Sequence, residues 1–194
     1  MTKALAVVAH PDDEAIWIGG TILRNRKWKW TILCLTRKDD NERRKKFFDA
    51  CNYFGAKGFI SDLDDEQPEK WLESLEEVKE RIRNSLKEKN YEKIFTHGLN
   101  GEYGHKRHIE VHKAVKEMLE KEELKCKELF VFDYRRKNRK GCEANPSAEI
   151  FFDLSKKELE KKKFLITSIY GFVRGSFEEI SCGEREAFGK LVLK

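Results

Sequence analysis

The chain has 194 residues, 39% of them apolar and 39% charged, which suits one domain with a real core beneath a densely ionic surface. Forty Lys and Arg against 35 Asp and Glu leave a formal charge of +5, and the two signs intermingle along helices as a solvated surface does, not as a nucleic-acid footprint. No apolar run approaches the roughly 20 residues of a membrane span and no signal peptide is recognisable; the five cysteines lack CxxC spacing, which points to free thiols in a reducing cytoplasm.

Ala4 to Ala9 reads as a buried strand that stops at His10-Pro11-Asp12-Asp13-Glu14. Glu14 to Asn25 follows as a helix, with Gly19-Gly20 expected to permit close packing under the site. Trp30 to Thr36 is the next strand, Asn41 to Phe54 a helix closed by Gly55, and Lys57 to Ser61 a short strand. Trp71 to Lys89 reads as a long charged helix with Leu72, Leu75, Val78, Ile82 and Leu86 on one face. A strand at Lys93 to Thr96, a helix at His108 to Glu122 and a strand at Leu129 to Phe132 come next, then a strand at Glu149 to Phe152 and a helix at Ser155 to Ile169. This alternation predicts a single α/β domain over residues 1–194, with a Rossmann-like, open, mostly parallel sheet and helices on both faces. Gly98–Gly104 and Arg135–Pro146 are the longest irregular stretches. Each follows a predicted strand, so both are expected at one rim.

Two clusters carry the chemistry. In an open α/β sheet ligands bind where strands end, which is where His10, Asp12, Asp13 and Glu14 fall. Pro-Asp-Asp-Glu is also ordinary helix-start chemistry, and Glu14 is expected to cap or anchor the helix N-terminus. Four of the five histidines (His97, His105, His108, His112) crowd one 16-residue stretch. A catalytic zinc takes three protein ligands of imidazole and carboxylate type and keeps a position open for water. His10 and Asp13 can aim at one point. Asp12, between them, is placed beside a metal-bound water whose proton it could take. Spacing allows either His105/His108 or His108/His112 as the second metal pair, with His108 common to both. If His108 is the ligand, His105 is left as an acid or oxyanion donor; His97 and His112 are assigned supporting roles.

Ala-His-Pro-Asp-Asp-Glu, then Ile-Gly-Gly-Thr, and later Gly-Glu-Tyr-Gly-His-x-x-His resemble the PIG-L/LmbE family of zinc-dependent N-acetyl-sugar deacetylases. The resemblance implies His10, Asp13 and His108 as ligands of Zn2+ or another divalent transition metal. It implies Asp12 as general base, His105 as the group that stabilises the oxyanion or protonates the leaving amine, and Tyr103 near the carbonyl. Arg43, seven residues before Ala50, matches a family arginine that contacts substrate; read alone, it is a solvated helix residue. The chain departs from the family at Arg107, where Asp or Asn is common, and at Ser168-Ile-Tyr-Gly-Phe, where a Ser-Gln segment is usual. The implied partner is an amino-sugar or sugar conjugate, with no nucleic acid and no membrane span. A sugar-binding protein with little turnover and a nucleic-acid module using the basic run at 135–140 are the competing classes.

Overall fold

The computed structural model of the chain describes residues 1–138 and 140–191. Seven strands form one sheet: β1 (Lys3–Val8), β2 (Lys29–Cys34), β3 (Lys57–Ile60), β4 (Asn90–Thr96), β5 (Lys125–Phe132), β8 (Ile150–Asp153) and β9 (Arg185–Leu191). Their order is β3-β2-β1-β4-β5-β9-β8. The first five are parallel, and β9 and β8 add on antiparallel. The expected architecture is therefore present, extended by an antiparallel edge.

Strand alternation builds both cores at once. Ala4, Ala6 and Val8 of β1 face a cluster with Trp17, Phe47, Phe54 and Leu165, while Leu5, Val7 and Ala9 face one with Val78, Ile82, Val115 and Met118. The first cluster is covered by α1 (Asp13–Arg24), α2 (Asn41–Phe54) and the turn at Leu165–Ile169 that continues α6 (Lys156–Phe164); the second by α3 (Leu75–Ser85) and α5 (Lys106–Glu120). A central strand buried on both faces reads as a continuous apolar run, which is why β1 is conspicuous in the sequence.

Several elements differ from expectation. α2 starts and ends where predicted, capped by Asp40 and closed by Gly55 at φ 74°. α3 is shorter than Trp71–Lys89, because Ser74 caps it and Leu86 is already extended. α5 begins at Lys106, earlier than His108, and the helix after Ser155 ends in a π-helical turn, Leu165–Ile169. The 135–146 stretch is no loop but a hairpin, β6 (Tyr134–Asn138) and β7 (Gly141–Ala144). Its charged side chains hide the strand pattern; Arg139, within it, lies outside the described residues. β9 escapes notice because Glu186 and Gly189 interrupt its apolar run. Glu186 is fully buried and accepts hydrogen bonds from Gly20 N, Thr21 N and Thr21 Oγ1 at 2.7, 2.8 and 2.8 Å, with Lys162 Nζ 2.7 Å away. Gly19-Gly20 therefore permits close packing, but against the antiparallel edge: a Cβ on Gly20 would lie 2.3 Å from Leu154 Cδ2.

β1 and β4 are adjacent and parallel, yet their neighbours continue to opposite sides of the sheet. This is the topological switch point, where chain segments diverge and leave a crevice beyond the strand ends.

Candidate active site

The first cluster leaves the end of β1 and the second the end of β4, so strand pairing brings together segments some 90 residues apart. Ala9 N donates to His97 Nε2 at 2.9 Å across this seam. Asp12 is the N-cap of α1 and sits at φ 119°, a left-handed conformation that costs a non-glycine residue about 1–3 kcal/mol. That turn separates the two neighbouring carboxylates: Asp13 faces the histidines, whereas Asp12 faces Arg43 Nη2 at 3.7 Å.

His10 Nδ1, Asp13 Oδ2 and His108 Nε2 converge. His10 Nδ1 is 3.2 Å from His108 Nε2 and 3.4 Å from Asp13 Oδ2, and the last two are 3.5 Å apart. Donors about 2.1 Å from a tetrahedral zinc lie roughly 3.4 Å from one another, so this triangle has the dimensions of one face of such a site. His105 joins His10 and His108 as a group that could hold a metal, and Asp13, His97 and His108 form a second. His97 has both nitrogens engaged, Nε2 by Ala9 N and Nδ1 by Glu102 Oε2 at 2.9 Å, so it has no lone pair for an ion. His112 Nδ1 donates to His97 O at 2.8 Å and acts as a strut.

The other ring nitrogen of each converging imidazole carries a carboxylate, the arrangement that orients metal-binding histidines. Glu102 Oε2 accepts from His108 Nδ1 at 2.5 Å, and Asp65 Oδ2 lies 3.2 Å from His10 Nε2. Trp17 Nε1 donates to Asp13 Oδ1 at 2.8 Å, leaving Oδ2 for the centre. Glu102 and Asp65 were not singled out from sequence. Glu102 lies inside the second motif, but its role needs the turn α4 (Gly101–Gly104), in which it takes φ 59°. Gly98 lets this turn close, since a Cβ there would meet Phe132 O at 2.4 Å. Asp65 sits in an acidic loop with no local signal.

The proton inventory follows from the contacts. Burial opposes charge on His10, but hydrogen bonds and charges from Asp13 and Asp65 outweigh it and raise its pKa to about 9. Burial, above all, lowers that of His108. His10 Nδ1 and His108 Nε2 face each other at 3.2 Å across the donor triangle. Asp13 is held well below the usual carboxylate range: burial opposes this, but His108 and His97 prevail. Burial and the adjacent Asp13 push Asp12 well above that range, against Arg43 and His10. Burial, His108 and His10 depress His105 to about 3, so it is a neutral imidazole; its Nδ1 is buried without a hydrogen-bond partner. Burial raises the Tyr103 phenol, which keeps its proton.

A cleft of about 220 Å³ opens over these groups, lined by His10, Asp12, Arg43, Tyr103, His105 and Phe177 among others. Every residue proposed from the sequence (His10, Asp12, Asp13, His108, Arg43, Tyr103, His105) thus lies in or against one site. Glu14 anchors the start of α1 as expected, its Oε2 accepting from Asp12 N at 3.2 Å, and it does more. It is fully buried, and Tyr170 Oη donates to its Oε1 at 2.5 Å. Burial raises the Glu14 pKa to about 7. Tyr170 comes from the segment that departs from the family pattern. Arg107 points away from His105: Nε donates to Asp64 O at 2.7 Å, and Nη1 to Lys70 O at 3.1 Å and Glu110 Oε2 at 2.6 Å. It pins the loop that carries Asp65.

Residues 5–119 match the family model PIG-L, GlcNAc-PI de-N-acetylase. Among relatives, the uncharacterized protein L374 of Acanthamoeba polyphaga mimivirus is 32% identical, over 57% of this chain and 55% of its own length. The 1D-myo-inositol 2-acetamido-2-deoxy-alpha-D-glucopyranoside deacetylase of Corynebacterium diphtheriae is 28% identical, over 57% of this chain and 50% of its own. The chain thus spans about half the length of these curated relatives. Among solved structures, N,N'-diacetylchitobiose deacetylase from Pyrococcus horikoshii superposes with a TM-score of 0.69 at 18% identity, covering 98% of this chain and 84% of that one. GalB, the 4-carboxy-2-hydroxymuconate hydratase of Pseudomonas putida, gives 0.68 at 15%, covering 100% and 98%. At these identities the superpositions show the fold alone, and a hydratase shares it.

Proposed function

The chain belongs to the PIG-L family of GlcNAc-PI de-N-acetylases, and from that premise we propose that it is a metal-dependent hydrolase which removes an N-acetyl group from an N-acetylglucosamine-type sugar or conjugate and releases acetate. The observation that carries this reading is the donor triangle of His10, Asp13 and His108, with separations of 3.2 to 3.5 Å, beside a carboxylate that is not part of it. Those three residues would hold the ion, zinc or another divalent transition metal. Such an ion, when bound, acidifies water and polarises the acyl oxygen.

The chain's own groups supply the remainder. Asp12, with its raised affinity for protons, takes the proton of the attacking water. Tyr103, through its phenol, and His105, through an imidazole N–H, donate toward the oxygen that gains charge as the carbonyl carbon becomes tetrahedral. The proton held by Asp12 is then available to the leaving nitrogen, and acetate departs. Arg43 keeps Asp12 oriented and reaches the substrate from the same wall. Tyr103 and Phe177 present aromatic surface suited to a sugar face.

The test is acetate release from N-acetylglucosamine derivatives by zinc-loaded protein. Asp12→Asn should abolish turnover while zinc stays bound; Asn also tolerates the positive φ. Full activity of that variant would remove Asp12 as base, and absence of acetate release across free and conjugated sugars would remove the reading. The competing reading is a sugar-binding protein with little turnover. The observation on its side is His105, whose buried Nδ1 has no hydrogen-bond partner. Sugar affinity without acetate release would select it.

A further inference from the structure

The segment Ser168-Ile-Tyr-Gly-Phe has no part in the chemistry above, yet its tyrosine reaches the back of the site. Leu165, Ile166 and Tyr170 are buried where α6 widens into its π-helical turn, and Tyr170 N closes that turn on Leu165 O at 2.9 Å. Gly171 follows at φ 81°, so the chain leaves the helix directly after the tyrosine. Tyr170 is 5% exposed and its partner Glu14 is fully buried, and neither lines the cleft over the metal donors. Any effect of Tyr170 on the chemistry must therefore pass through another residue.

That residue is Asp12. Its φ of 119° makes the turn that separates the two carboxylates, and a non-glycine residue stays in such a conformation only where its surroundings hold it there. Asp12 O accepts from Ala15 N and Ile16 N, both at 2.9 Å, which fixes the carbonyl side. On the amide side, Asp12 N donates to Glu14 Oε2 at 3.2 Å. A glutamate has several staggered rotamers, and one backbone amide does little to choose among them. Tyr170 makes the choice: its hydroxyl donates to Glu14 Oε1 at 2.5 Å, so one carboxylate ties the tyrosine to the Asp12 amide. Arg43 Nη2, 3.7 Å from Asp12 Oδ2, holds the side chain from the cleft. Asp12 is thus held from two directions, its backbone from the core and its carboxylate from the cleft.

We propose that Tyr170 is a positioning residue for the reaction: acting through Glu14, it holds the backbone of Asp12 in the conformation that keeps the base apart from Asp13 and aimed into the cleft. The inference rests on the reading of Asp12 as general base, but it concerns a residue outside the cleft and has a readout of its own.

The experiment compares zinc-loaded wild type, Tyr170→Phe, Glu14→Gln and the double variant in two measurements. The first is acetate release from N-acetylglucosamine derivatives. Tyr170→Phe should lower kcat about 10- to 100-fold, the cost of a misplaced catalytic group, with KM and the zinc Kd within about twofold of wild type. Glu14→Gln breaks the chain at its middle and should act likewise, because an amide offers one acceptor oxygen where the carboxylate offers two. The double variant should lose no more than the worse single variant, since both substitutions break one chain. The second measurement is hydrogen exchange at the Asp12 amide by nitrogen-15 NMR. It should quicken about tenfold in each variant, while exchange at Gly20, whose amide is held by Glu186, stays as in wild type. A fall in Tm with kcat unchanged makes Tyr170 structural and overturns the proposal, as do additive losses in the double variant or unchanged exchange at Asp12. A zinc affinity weakened as much as kcat also overturns it, since the effect then falls on Asp13. If wild type releases no acetate from any sugar, the deacetylase reading falls, and exchange at Asp12 still decides whether Tyr170 holds that residue. Tyr170→Phe keeps the ring and its packing; if it nonetheless fails to fold, the double variant, in which no buried charge loses its donor, replaces it, and wild-type kcat or wild-type exchange there overturns the proposal.

Discussion

Arg107→Ala should destabilise the protein by about 3 kcal/mol, and the structure shows why. The guanidinium is 2% exposed and donates to Asp64 O, Lys70 O and Glu110 Oε2, with Asp65 Oδ1 3.7 Å away. Removing one partner of a buried ion pair costs about 3–5 kcal/mol, because the surviving charge is left uncompensated. The lower end applies here. Glu110 keeps a hydrogen bond from Leu72 N at 2.6 Å, and Asp65 keeps Arg37 at 2.9 Å. For a chain of this length, 3 kcal/mol corresponds to a fall in Tm of about 6–12 °C. Urea denaturation of wild type, Arg107→Ala and Arg107→Met measures it. The Met variant keeps the aliphatic stem but not the charge, so it should lose nearly as much as Ala. The double variant Arg107→Met/Glu110→Gln removes the stranded charge and keeps an acceptor for Leu72, so it should recover most of the loss. A cost under about 1 kcal/mol for Arg107→Ala, or a double variant no better than the single ones, would refute the reasoning.

Further outcomes follow from the same geometry. Metal binding must displace the His10 proton, whose pKa is about 9; zinc affinity should therefore rise about tenfold per pH unit between pH 6 and 8 and level off above about 9, and a pH-independent Kd by chelator competition would contradict this. Glu102→Gln removes the carboxylate behind His108 and should weaken zinc binding about 10- to 100-fold, read in the same titration. A chelator should abolish acetate release yet leave the far-ultraviolet circular dichroism unchanged, since no core cluster depends on the ion. Gly20→Ala should lower stability by about 1–3 kcal/mol in spite of better helix propensity, because its Cβ would strike Leu154; a gain in Tm would show that Leu154 can move.

How much was legible in the sequence depended on range. β1 announced itself because a strand buried on both faces needs an unbroken apolar run. α2 was delimited by Asp40 and Gly55, whose local hydrogen bonding and positive φ act within a few residues. His10, Asp12, Asp13, His105 and His108 stood out because imidazoles and carboxylates beside a buried strand are costly unless used. These signals are short-range and survive in a linear string.

Convergence belonged to the tertiary structure. Only the pairing of β1 with β4 brings His10 within 3.2 Å of His108, and only the unusual backbone at Asp12 turns adjacent carboxylates to different tasks. Asp65 and Glu102 became visible as partners of imidazoles, Tyr170 as the partner of Glu14, and Arg107 as a clamp on a loop some 40 residues away. β9 was concealed because burial with a distant partner, as for Glu186 with Lys162, permits a charge in a strand, and the β6–β7 hairpin because its exposed charges pair within it, Arg135 and Lys137 with Glu143, and read in the sequence as loop. Local propensity and motif spacing write the parts into the chain; which polar groups satisfy one another is settled by contacts between residues far apart in it, and the chemistry of the site resides in those contacts.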